Sequence, residues 1–137
     1  MTVCTAVAAP LKYQDIFGSE RSTTVSAGAV DAAGNVYLTG WTTSASLPVT
    51  PRAFQKTFIQ SQCGTDYFPA PDGSPGESVP IPCAHAFIAK IAADGASLVY
   101  LTYLGGELTD YASAIAVDTA GNVYVTGSTS STTFPVT

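Results

Sequence analysis

Short runs rich in β-branched, aromatic and small apolar residues recur through the second half of the chain: Phe87 to Ile91, Leu98 to Leu104, Ala112 to Val117 and Asn122 to Thr126. The separators are Ala93-Asp94-Gly95, Gly105-Gly106 and Asp118 to Gly121. There Gly supplies positive φ and Asp bonds its own backbone, so each separator is expected to link neighbouring antiparallel strands. Alternation within the runs is weak. Leu98-Val99-Tyr100-Leu101 and Ala114-Ile115-Ala116-Val117 are apolar on both faces, so these strands need cover on both sides, as a four-stranded sheet has between two like sheets of a β-propeller. No segment offers a capped amphipathic helix, and α content is expected to be very low.

The same pattern occurs earlier in the chain. Leu11 to Thr50 aligns without a gap on Leu98 to Thr137, an offset of 87 residues, with 21 of 40 positions identical. A gapless repeat of this length marks a modular architecture. The best-matched stretch is Asp31-Ala-Ala-Gly-Asn-Val-Tyr-Leu-Thr-Gly40 against Asp118-Thr-Ala-Gly-Asn-Val-Tyr-Val-Thr-Gly127. Its Asp31, Gly34 and Asn35, with Asp118, Gly121 and Asn122, are read as structural turn residues. One Asp and one Asn per turn are too few for a calcium shell.

These stretches, with Leu-Val-Tyr-Leu-Thr-Tyr-Leu-Gly-Gly (98–106), Asp-Tyr-Ala-Ser-Ala-Ile-Ala-Val-Asp (110–118) and Phe-Pro-Val-Thr (134–137), resemble the bacterial SBBP repeat, the seven-bladed β-propeller repeat. Ala86-Phe87-Ile88-Ala89-Lys90-Ile91 is similar to its first strand, with His85 where an Asp is common. The first copy departs from the pattern at Gln14 to Ser19 and at Trp41, where the second has Ser128. The resemblance implies an all-β chain of propeller blades with four antiparallel strands each. It also implies a secreted or cell-surface location in bacteria and no defined catalytic activity. Residues 1–50 are expected to form a first, partial blade, 51–85 an inter-blade insertion and 86–137 a second blade. About two blades make an incomplete ring, because propellers close with roughly four to eight. The expected partners are therefore further blades or other copies, joined through blade faces and strand edges, with a filament as one outcome.

The insertion has a different composition, with five of the nine prolines and three glycines in Ser61 to Pro82. Cys63 and Cys83 bracket it. A bond between them would close a loop of some 20 residues, worth roughly 3 kcal/mol, and buried free thiols are the alternative. Cys4 stands apart, either as a buried strand residue or as a partner for an intermolecular bond. Zinc fits poorly, since there is no paired Cys-x-x-Cys and His85 is the sole histidine.

Charge narrows the function. Charged residues are only 11% of the chain and the net charge is −5, so nucleic acid, which needs clustered cations, is a poor partner. No apolar run approaches the roughly 20 residues of a spanning helix. The opening Met1 to Pro10 lacks the basic start of a signal peptide and is read as the beginning of the fold. No cofactor is expected. Glu107 and Asp110 read as solvated turn carboxylates, and no Gly-x-Ser-x-Gly elbow accompanies the serines, so an enzyme is not expected. Trp41, with Tyr67 and Phe68 of the insertion, is the candidate contact for a carbohydrate or protein ligand, against the alternative that Trp41 fills space between blades.

Overall fold

The structure, a computed structural model, describes residues 23–136. Cys4 and residues 11–22 of the first repeat copy lie outside them. Eight strands follow in order: β1 (Thr23–Val30), β2 (Val36–Thr42), β3 (Gln62–Phe68), β4 (Glu77–Pro82), β5 (His85–Ile91), β6 (Leu98–Leu104), β7 (Asp110–Val117) and β8 (Val123–Thr129). All pairing is antiparallel, and the described residues contain no helix.

The partition of strands differs from the expectation. One four-stranded sheet runs β1-β2-β5-β6, and β3-β4 and β7-β8 form separate two-stranded sheets. The four strands of residues 86–137 therefore do not make one sheet. Gly105-Gly106 is not a hairpin turn but a crossing from one sheet to another. The physical reason lies at the free side of β6, which an irregular segment has taken. The Thr50 amide donates to the Leu101 carbonyl at 3.1 Å and the Tyr103 amide to the Gln55 carbonyl at 3.2 Å, while the Gln55 side chain accepts the Gly105 amide at 3.0 Å. With that edge satisfied, β7 leaves the plane.

The sheet is covered on both faces, as its apolar strands require. On one face Leu47 and Phe58 of the irregular segment pack against Phe87, Ala89, Leu101 and Tyr103, forming the core cluster. The Tyr103 hydroxyl pins that segment, donating to the Ser44 carbonyl at 3.0 Å and accepting the Leu47 amide at 3.0 Å. Against the other face lies β7, which contacts β1, β2 and β5.

Hairpin β7-β8 repeats β1-β2 in detail. Thr23 pairs Thr42 and Val30 pairs Val36, as Asp110 pairs Thr129 and Val117 pairs Val123, and a bulge falls between Val25 and Ala27 as it does between Ala112 and Ala114. Opposite each bulge stands a glycine. A Cβ on Gly40 would lie 1.9 Å from the Thr24 carbonyl oxygen, and one on Gly127 would lie 1.9 Å from that of Tyr111. These glycines are there for close backbone approach.

Candidate functional site

The Asp-x-Ala-Gly-Asn turns are built from their own side chains. Asp31 Oδ1 accepts the amides of Ala33 and Asn35 at 3.0 and 2.9 Å, and Oδ2 accepts the Asn35 side-chain amide at 2.8 Å and the Tyr37 hydroxyl at 3.0 Å. Gly34 takes φ of 85° to close the turn. Asp118 makes the same four bonds to Ala120, Asn122 and Tyr124, with Gly121 also at 85°. Both carboxylates are thus occupied by donors from their own turns. The two sites differ in one respect. Lys90 of β5 places Nζ 3.7 Å from Asp31 Oδ2 and 4.8 Å above the centre of the Tyr37 ring. At Asp118 and Tyr124 none of the described cations takes that place.

The hydrogen bond from the Asn35 side chain is the main cause that holds Asp31 down at about 2, with the backbone amides and Tyr37 adding to it. Asp118 is lowered for the same reasons, led by Asn122. A carboxyl whose value falls on folding stabilises the fold above its unfolded value near 4 and loses that contribution as pH drops through the folded one. The urea midpoint is expected to fall between about pH 4 and pH 2. Asp31→Asn should flatten that decline, and an unchanged profile would count against the turn as an acid-sensitive element.

A second polar cluster was not legible as one. His85 and Asp110 are both fully buried. Asp110 Oδ2 accepts the Gly106 amide at 2.8 Å and the Ser131 hydroxyl at 2.9 Å, and Oδ1 accepts the Thr129 hydroxyl. Asp110 is therefore not a solvated turn carboxylate. His85 Nε2 donates to the Ile59 carbonyl at 2.9 Å, since a carbonyl can only accept; Nδ1 has no hydrogen-bond partner and stands 3.6 Å from Asp110 Oδ2. A Cβ on Gly105 would lie 2.1 Å from that nitrogen, so glycine there is a packing requirement. Ser131 and His85 both turn toward Asp110, with no bond between them to activate a nucleophile. The available signal was internal: Asp110 replaces Thr23 of the first copy, whose hydroxyl simply bonds Thr42 at 2.7 Å.

Glu107 is also engaged. Its two oxygens accept the amides and hydroxyls of Thr132 and Thr133, which hold its carboxyl well below the usual range. It ties the loop after β8 to the loop after β6.

The aromatic trio is not brought together. Trp41 is half-buried and meets Tyr111 of β7 edge-on, with ring centres 5.5 Å apart. Its ring thus stands between the four-stranded sheet and β7. Tyr67 and Phe68 stand on hairpin β3-β4, 64% and 57% exposed. Every residue of that hairpin's strands is exposed, and a two-stranded ribbon is marginal alone. The Cys63–Cys83 disulfide staples its base, where Thr109 Oγ1 donates to Cys63 Sγ at 3.2 Å. Beside the base lies a cleft of about 430 Å³ lined by Thr43, Phe58, Gln60, Gln62, Pro80 and Pro82, among others. Among the described residues no group of three or more His, Cys, Asp or Glu could hold a metal ion, and no helix is long and apolar enough to cross a membrane.

With this geometry in place, residues 99–135 fit the family model of the SBBP beta-propeller repeat. No curated protein and no solved structure matches the chain.

Proposed function

Because residues 99–135 carry an SBBP beta-propeller repeat, we propose that the protein is a non-enzymatic, extracellular assembly module in which four-stranded propeller blades are completed across repeat boundaries. In this reading β1-β2-β5-β6 is one blade, and β7-β8 is the first half of the next. The carrying observation is internal. β7-β8 has the register and bulge of β1-β2, yet only β1-β2 is extended by two further strands among the described residues. An eight-residue strand face and an unpaired edge are association surfaces. The disulfide suits an oxidising, extracytoplasmic compartment. The shared focus of His85 and Ser131 on Asp110 suits the locking of loops better than catalysis.

Head-to-tail contacts that close give rings, and contacts that do not close give filaments. Light scattering coupled to size exclusion, followed by electron microscopy, tests the module. Concentration-dependent rings or filaments are expected, and a strict monomer across the accessible concentration range would remove the assembly reading.

A second reading has its own observation. The exposed Tyr67 and Phe68 and the neutral, amide-lined cleft beside the stapled hairpin suit a carbohydrate or protein ligand. Glycan-array binding lost in Tyr67→Ala would favour it.

A further inference from the structure

Strand β8 differs from β2 only at Val125 for Leu38 and Ser128 for Trp41. On its second side β2 pairs with β5 in a continuous register, with Tyr37 opposite Lys90, Leu38 opposite Ala89, Thr39 opposite Ile88 and Gly40 opposite Phe87. Three side-chain anchors hold that edge. The Thr39 hydroxyl donates to the Phe87 carbonyl at 2.7 Å, the Asn35 side chain accepts the Ala93 amide at 3.2 Å, and Lys90 sits between Asp31 and the Tyr37 ring. The second side of β8 is unpaired among the described residues. All three anchors recur there as Thr126, Asn122 and the Asp118–Tyr124 pair, already held in the same internal bonds. Tyr37 is 2% exposed, whereas Tyr124 is 58% exposed.

We propose that the open edge of β8 takes up an antiparallel strand of the form Phe-Ile-Ala-Lys-Ile, whose lysine seats between Asp118 and the face of Tyr124. The occupant is thus a strand with the chemistry of β5, and the proposal rests on the edge-assembly reading given above. Backbone bonding supplies affinity without selecting a sequence, as in β-strand addition generally. Selection comes from the lysine. Opposite Tyr124 it meets a carboxylate and an aromatic face together, and placing the same ammonium one residue earlier or later turns it to the other face of the sheet. The net charge of −5 and the lack of a cation beside Asp118 among the described residues favour a cationic partner at this edge.

The test uses the full 137-residue chain, isotopically labelled, and a fluorescent peptide spanning residues 85–104, with a second peptide carrying Lys90→Ala. The expected result is uptake of the first peptide with amide shifts concentrated in residues 123–129. Affinity should be about tenfold weaker for the alanine peptide and for the chain variant Tyr124→Ala, an exposed substitution that leaves the core untouched. Shifts in β1 instead of β8, or equal affinity for both peptides, overturn the proposal. So does an edge already filled by a second copy that the peptide cannot displace. Uptake without lysine preference leaves the assembly reading standing, while lysine-selective uptake by a chain that never self-associates does the reverse.

Discussion

Gly40→Ala is expected to lower stability by about 3 kcal/mol, at the upper end of what overpacking costs, and the melting temperature by roughly 10 °C. The cause is backbone, not side chain. The new methyl would sit 1.9 Å from the Thr24 carbonyl oxygen and 3.0 Å from the Ser26 amide, so nothing flexible can yield. Either the bulge at Val25 to Ala27 must open, or β1 must separate from β2. The fitting control is Gly28→Ala in the same hairpin. There the added atom meets the flexible end of Leu38 at 3.2 Å, and the second copy already carries Ile115 at the matching position. Calorimetry on the two variants separates the cases. Similar melting points would show that the bulge does not hold the hairpin as described. Gly127→Ala makes the equivalent clash with Tyr111, but in a two-stranded sheet. Its effect should concentrate in faster amide exchange over β7 and β8, because those strands open locally before the whole fold does.

Asp110→Ala is expected to cost about 3 kcal/mol in urea denaturation, because it strands several donors at once. The Gly106 amide and the hydroxyls of Thr129 and Ser131 all lose their acceptor, and the Gly106 amide lies in a buried residue. The loss should spread beyond the stability of one strand. Asp110 begins β7, its amide donates to the Ala84 carbonyl at 2.8 Å, and its side chain gathers the loops after β6 and β8. Asp110→Asn keeps the shape and one acceptor and should recover part of the loss. A drop below about 1 kcal/mol for the alanine variant, the level of an ordinary exposed substitution, would mean that the cluster is incidental.

The His85–Asp110 cluster shows where reading residues in order runs out. His85 was visible as the sole histidine and as a departure from the repeat it resembles, and Asp110 only as a solvated turn carboxylate. They are 25 positions apart, and nothing in either neighbourhood ties one to the other. The insertion was more legible. Two cysteines bracketing a proline-rich stretch left a closed loop or buried free thiols as the choices, and Cys63 and Cys83 are bonded. Its two strands, β3 and β4, were not anticipated, because Pro80 and Pro82 argue against a strand. They are accommodated because the ribbon has only two strands and each has a free outer side, where a missing amide donor costs nothing.

By itself the sequence determined the strands outside the insertion and the Asp-x-Ala-Gly-Asn turns. Short runs of β formers bounded by turn residues are too brief to pack as helices, and an Asp-x-Ala-Gly-Asn turn completes its own hydrogen bonds within five residues, so both are local matters. It also determined that the unit repeats, down to a glycine opposite each bulge. Only the tertiary structure decided which strands share a sheet. Backbone pairing carries almost no sequence code, and β6 could have continued into β7 had Thr50 and Gln55 not reached its edge first. Those contacts span about 50 residues of chain, and they move the sheet boundary from the end of the repeat to its middle.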